Sequence, residues 1–147
     1  MRLKEIISKI EKRHSKKIDL SLNRTFSLLK KLGNPQNKLN NVVTVVGTNS
    51  KASMATALST ILKEAGYKYN LYTSPHLQSY TERFVFNNKE INENDLADLL
   101  EGIDKILGND SATVFEILTC AFIKYGEYFK DNINIIEAGL FHRFDST

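Results

Sequence analysis

Val42-Val43-Thr44-Val45-Val46-Gly47-Thr48-Asn49-Ser50-Lys51-Ala52-Ser53-Met54 runs a β-branched apolar stretch into a glycine and a short polar turn with one lysine. Downstream, Ala55, Leu58, Ile61, Leu62 and Ala65 recur at three- and four-residue steps, the period of a helix. Strand, polar turn, helix is the layout of a phosphate-binding loop. Such a turn aims backbone N–H groups at an anion, the helix N-terminus adds partial positive charge, and the lysine reaches the outer phosphates. Ser53, two residues beyond the lysine, is a candidate magnesium ligand. The strict pattern places glycine before the lysine and Ser or Thr after it. Here Ser50 precedes Lys51 and Ala52 follows it. The turn alone therefore fits an ordinary strand-to-helix junction with an exposed lysine as well as a nucleotide loop.

Working outward, residues 3–14 read as a first helix and Ser21 as the N-cap of a second, with Leu22, Phe26, Leu29 and Leu32 on one face. Gly33-Asn34-Pro35 ends it, and a polar link leads to a strand at 42–46. The helix over 51–65 stops at Gly66, a left-handed cap. The next strand is Tyr69 to Thr73. Arg83–Phe86 and Glu90-Ile91 flank a hairpin turn. A helix opening at Glu93 or Asn94 carries Leu96, Leu99, Leu100, Ile103 and Leu107, and Gly108-Asn109-Asp110 breaks it. Residues 114–129 form another helix, and Ile133 to Glu137 the last strand. Apolar strands separated by helices predict an α/β fold: a mainly parallel sheet flanked by helices in three layers, preceded by two helices and carrying a small hairpin. The expected division is a helical lead-in over 1–41 and the α/β core over 42–147.

The chain has 147 residues, 41% of them hydrophobic, enough for one domain with a real core. A single cysteine, Cys120, excludes an internal disulfide and suits a reducing cytoplasm; it reads as a buried helical thiol. The start, Met1-Arg2-Leu3-Lys4-Glu5, carries no secretion signal, and no apolar run approaches the ~20 residues of a membrane span. Net charge is +3, yet residues 1–17 hold seven Lys/Arg against two acids. With Ile6, Ile7 and Ile10 as an apolar side, this is the solvated face of a helix. No aromatic residue interleaves the charges as a single-strand nucleic-acid binder requires.

In open α/β sheets ligands bind beyond the carboxyl ends of the strands. Three such ends carry chemistry here: Gly47–Ser53, Thr73–Ser74 and Glu137. A lysine, hydroxyls and a carboxylate on one rim suit a magnesium–nucleotide site, because Mg²⁺ takes oxygen ligands and keeps waters and substrate phosphates. A carboxylate straight after an apolar strand sits near a buried sheet end and needs a partner.

The segment Gly47-Thr48-Asn49-Ser50-Lys51-Ala52-Ser53 resembles the GTNGKGS loop of the folylpolyglutamate synthase/dihydrofolate synthase family, relatives of the Mur ligases. Leu71 to Leu77 followed by Glu82-Arg83 is similar to its YTSPHL…ER segment. Phe115-Glu116-Ile117-Leu118-Thr119 is similar to FE-x-LT, and Glu137 to Thr147 to EVGLGGRLDAT. The order is the same, over nearly the whole chain.

This resemblance implies ATP-dependent amide formation. A folate or dihydropteroate carboxylate attacks the γ-phosphate, and the amine of L-glutamate attacks the resulting acyl phosphate. It implies that Lys51 contacts the phosphates, with Gly47, Thr48, Asn49 and the amides of Ser50, Lys51, Ala52 and Ser53 as the cradle. Ser53, Ser74 and Glu137 would serve magnesium. Thr113, Phe115 and Asp145 match positions lining the pterin site, and Arg83 is a further substrate-binding candidate. The partners implied are small molecules, with no nucleic acid or membrane, and the full-length family is expected to be monomeric.

Two departures qualify the match. Glycine lets the backbone approach phosphate and take φ > 0; Ser50 does so only at a cost of about 1 kcal/mol, and Ala52 adds a methyl. The expectation is altered loop geometry or weaker ATP binding, relieved by restoring both glycines. Phe141-His142 also replace Gly-Gly. The family continues past the counterpart of Thr147, through the rest of the sheet and a glutamate-binding domain, so the chain is expected to be an amino-terminal segment, inactive alone. The alternatives are a non-catalytic nucleotide- or pterin-binding module and, against the motifs at 72–83 and 137–147, a small-molecule kinase.

Overall fold

A computed structural model of the chain describes residues 2–13, 22–139 and 145–147. Its elements are α1 (Arg2–Arg13), α2 (Asn23–Lys31), β1 (Val42–Val45), α3 (Lys51–Glu64), β2 (Tyr69–Tyr72), β3 (Phe84–Phe86), β4 (Lys89–Glu90), α4 (Glu93–Leu107), α5 (Val114–Gly126) and β5 (Ile133–Glu137). The strands form one sheet in the order β1-β5-β2-β3-β4. The last strand in sequence thus lies between the first two and runs parallel to both. The β3–β4 hairpin extends the sheet antiparallel to β2. Its two-residue turn is Asn87-Asn88, with φ 51° and 66°, the left-handed pair that matches the twist of a tight hairpin.

Side chains alternate across a strand, so each strand feeds two cores. Val45, Leu71 and Ile135 meet Ala55 of α3 on one face. Tyr72, Phe84, Phe86 and Ile136 meet α4, α5, α1 and α2 on the other. Tyr72 and Phe86 stack on Phe122 at 5.2 and 5.1 Å between centroids. This is the expected three-layer α/β arrangement.

In α1 the buried residues Leu3, Ile6, Ile7 and Ile10 form one stripe. On its basic face, Arg2 pairs with Asp98 and Glu101 at 2.7 Å, and Lys9 with Asp104 at 2.8 Å. Part of the basic excess therefore meets the acidic side of α4.

The expected face of α2 is corrected. Its buried residues are Thr25, Leu28 and Leu29, followed by Leu32, whereas Phe26 is 59% exposed. At 100° per residue Phe26 falls more than a quarter turn from the centre of that stripe. Ser21, expected to cap this helix, lies outside the described residues. Ile61 of α3 is likewise 64% exposed, because Ala55, Leu58, Ser59 and Leu62 fill the packed face. The Gly66 cap has φ 82°. Gly66 and Tyr67 donate to the Lys63 and Leu62 carbonyls at 3.0 and 2.9 Å, closing the helix end.

At the far edge, no strand among the described residues pairs with the outer side of β1, and Val42, Val43 and Val46 are exposed. Among the described residues no helix is long and apolar enough to cross a membrane.

Candidate functional site

The parallel register brings the chemistry-bearing strand ends together. Glu137 lies opposite Val45, and Ile136 opposite Tyr72. The loops after β1, β2 and β5 therefore leave the same edge of the sheet, as the sequence predicted.

The loop after β1 contains two backbone positions with positive φ: Gly47 at 152° and Ser50 at 60°. At Gly47 the backbone conformation, rather than space, requires glycine; a side chain there would make only ordinary contacts. Ser50 is the left-handed N-cap of α3 and makes no side-chain cap. Ala52 differs: it lies inside the first helical turn, where no positive φ is needed. Thr48, Asn49, Ala52 and Ser53 are exposed. The first amides of α3 have no intrahelical acceptor and carry the positive end of its dipole. Lys51 folds back over the loop, its Nζ donating to the Gly47 carbonyl at 3.0 Å. A lysine, amides without an intrahelical acceptor and the helix dipole together form an arrangement that can hold an anion.

Beside it, Glu137 is only 3% exposed. Its Oε2 accepts from the Ser74 backbone amide at 2.9 Å. Among the described residues it forms no ion pair. A buried carboxylate held by a neutral amide can take a cation as its charge partner. Glu137 and the hydroxyl-bearing Ser53 and Ser74 of the neighbouring loops are oxygen donors of the kind that a hard divalent ion takes beside phosphate and water. Among the described residues there is no richer His/Cys/Asp/Glu cluster.

The loop from Ser74 to Arg83 is shaped from within. The Glu82 carboxylate accepts from the amides of Leu77, Gln78 and Ser79 at 2.8, 2.9 and 2.8 Å. These three bonds hold its pKa below the usual value. Arg83 Nε donates to His76 Nδ1 at 3.0 Å, which leaves the proton of neutral His76 on Nε2. Burial, and then the Arg83 charge, lower the His76 pKa. The Arg83 guanidinium also lies 5.2 Å over the Tyr80 ring. Glu82-Arg83 thus organises the loop that presents Ser74.

A third cluster joins α5 to the loop after β5. Thr113 caps α5: its Oγ1 accepts from the Glu116 amide at 3.2 Å, while Glu116 Oε2 accepts from the Thr113 amide at 2.6 Å. Phe115, the next residue but one, is half-buried and lies against Gly139, where a methyl would come within 2.7 Å of its Cζ and 3.5 Å of Asp145 Oδ2. Asp145 Oδ1 accepts from the Thr147 hydroxyl at 2.6 Å, and that hydroxyl accepts from the Gly139 amide at 3.3 Å. Phe115 and Asp145, far apart in sequence, therefore share one cluster with Gly139. Phe141 and His142 lie outside the described residues. The sequence reading did not single out Arg24, whose Nε and Nη2 donate to Glu116 at 3.1 and 2.9 Å. The spacing Thr113-x-x-Glu116 is that of a capping box, a local signal that the sequence reading did not use, and it does not point to Arg24.

A mixed sheet whose parallel strands β1, β5 and β2 bring a glycine-bearing turn, a helix N-terminus and a buried carboxylate to one edge defines a P-loop-type α/β protein. No family model matches the chain. It is 37% identical over 132 residues to the dihydrofolate synthetase of Saccharomyces cerevisiae, covering 88% of this chain and 31% of the yeast protein. It is 36% identical over 141 residues to the Escherichia coli dihydrofolate synthase/folylpolyglutamate synthase, covering 96% and 33%. The structure of E. coli FolC in complex with DHPP and ADP superposes with a TM-score of 0.90 at 36% identity, over 99% of this chain and 35% of that one. The Yersinia pestis bifunctional enzyme complexed with AMPPNP and Mn ion gives 0.88 at 31%, over 98% and 35%. The chain is thus a relative of the folylpolyglutamate synthase/dihydrofolate synthases. It spans about a third of the length of the curated relatives it matches, their amino-terminal portion.

Proposed function

We propose that this chain is the amino-terminal part of the ATP-binding domain of a ligase that joins L-glutamate to the carboxylate of dihydropteroate or a folate. The observation that carries the reading is the buried Glu137 carboxylate, bonded to the Ser74 amide at 2.9 Å beside the Lys51 loop. It is supported by relatives solved with DHPP and ADP, and with Mn, AMPPNP and L-glutamate.

In this reading Gly47 to Ser53 cradle the phosphates of ATP, and Lys51 swings from the Gly47 carbonyl onto them. Ser53, Ser74 and Glu137 hold Mg²⁺, which, when bound, neutralises charge on the phosphates. Thr113, Phe115 and Asp145 receive the pterin, the ring on Phe115 and its hydrogen bonds on Asp145. Arg83 holds the Ser74 loop and has further donors for substrate. The chain's own contribution is positioning and charge stabilisation of the transferring phosphoryl group. Formation of the acyl phosphate releases ADP; glutamate then displaces phosphate. A cytoplasmic setting and a monomeric state belong to this reading.

The reading divides the chain into a helical lead-in over 1–41 and a core over 42–147 whose sheet continues beyond β1. Crossover handedness supports that continuation. A right-handed connection from β5 past β1 lays its crossover on the α5 face, where Val42 and Val46 stand exposed.

A second reading, a non-catalytic nucleotide- or pterin-binding module, is favoured by one feature: the left-handed position before Lys51 is serine. Calorimetric titration with magnesium-ATP, beside Lys51→Ala, tests both. Binding by the wild type that Lys51→Ala abolishes is the expected result. No binding by a folded chain, or binding indifferent to Lys51→Ala, overturns the nucleotide site.

A further inference from the structure

We propose that Arg24 is a positioning residue for the pterin end of the site: its paired hydrogen bonds to Glu116 fix the first turn of α5, and with it Thr113 and Phe115. The inference rests on the reading above, which assigns those two residues to the pterin.

The geometry points to orientation rather than mere cohesion. Arg24 Nε reaches Glu116 Oε2 at 3.1 Å and Nη2 reaches Oε1 at 2.9 Å, two parallel bonds between α2 and α5 across 92 positions of sequence. The Arg24 and Glu116 side chains keep 20% and 7% of their exposure. A planar fork on a carboxylate fixes direction as well as distance, which a lysine cannot do. The same Oε2 accepts the Thr113 amide at 2.6 Å. Glu116 is thus held from α2 and in turn holds the residue that caps α5. Phe115 lies between these two anchored positions, and its ring bears on Gly139 beside Asp145. A tilt of the first turn therefore moves the aromatic face relative to Asp145. The nucleotide loop belongs to α3 on the other face of the sheet, so a change at Arg24 is transmitted to one half of the site only.

The test measures, on this chain, the dissociation constants of 7,8-dihydropteroate and of magnesium-ADP for the wild type, Arg24→Lys, Arg24→Gln and Lys9→Gln. Lys9→Gln removes a different ion pair, between α1 and Asp104, whose side chain is 6% exposed, in which neither Thr113 nor Glu116 takes part, and so controls for a general loss of stability. Arg24→Lys keeps the charge but forfeits one bond of the fork. The expected result is pterin binding weakened about tenfold, because Phe115 loses its fixed direction relative to Asp145. Arg24→Gln weakens it further. Nucleotide affinity stays unchanged in both, and Lys9→Gln alters neither ligand. Pterin affinity unchanged in both Arg24 variants overturns the inference alone. So does a parallel loss of both ligands that tracks melting temperature and recurs in Lys9→Gln. A wild type that fails to bind dihydropteroate overturns the pterin reading itself, and the inference falls with it.

Discussion

Ser50→Gly should stabilise the protein, and the size of the gain follows from the backbone. Ser50 stands at φ 60°, ψ 15°, and its side chain makes no cap hydrogen bond that would offset the conformation. A left-handed L-residue costs roughly 1–2 kcal/mol. Glycine removes that cost but gives the unfolded chain more freedom, worth about 0.5–1 kcal/mol. The net gain is about 0.5–1 kcal/mol. For a chain of 147 residues this raises Tm by roughly 2–3 °C. Circular dichroism melts and urea titrations measure it, with Ser50→Ala as the control that keeps the strain and stays within about 0.5 kcal/mol of wild type. Ala52→Gly should go the other way, by about 0.5–1 kcal/mol, because residue 52 is helical and alanine is the better helix former. The two loop departures thus have opposite effects on stability. A Ser50→Gly protein no more stable than wild type, with Ser50→Ala unchanged, would refute the left-handed assignment.

Other outcomes follow from the same contacts. Gly139→Ala places a methyl 2.7 Å from Phe115 Cζ. It should cost about 1–3 kcal/mol by overpacking, and Phe115→Leu in the same chain should recover part of that in a double-mutant cycle. The depressed Glu82 pKa makes the Ser74–Arg83 loop sensitive to acid. The folded-state value lies below the unfolded value, so this stabilisation is complete above pH 4.5 and is lost as pH falls through the lower folded value. Hydrogen exchange at Leu77, Gln78 and Ser79 should accelerate in that window, and Glu82→Gln should abolish the pH dependence. Cys120 is buried within α5 and its thiol is pushed up to about 12 by burial, then by the neighbouring Glu116 charge. It should resist thiol reagents in the native state and react only at the rate of global unfolding.

The sequence by itself determined the elements and their order. Strands at Val42–Val45 and Ile133–Glu137 and helices at Lys51–Glu64 and Glu93–Leu107 fall within one or two residues of the pattern-based expectation. β-branched runs, helical periodicity and glycine or asparagine punctuation are local signals, and local signals fix local structure. The strand–turn–helix layout over 42–64 was legible for the same reason, being contiguous, and so was the left-handed backbone at Ser50. Tertiary structure alone decided which distant segments meet. It inserted β5 between β1 and β2, which sets Glu137 against the Ser74 amide. It brought Gly139 onto Phe115 and joined Arg24 to Glu116 across 92 positions. It also left Phe26 in solvent, although its spacing is helical. None of these follows from periodicity. Pairing and burial depend on which apolar faces close on one another, and a stripe on one helix does not specify what covers it. The residue types at the site are therefore a property of the sequence, while their convergence is a property of the sheet order.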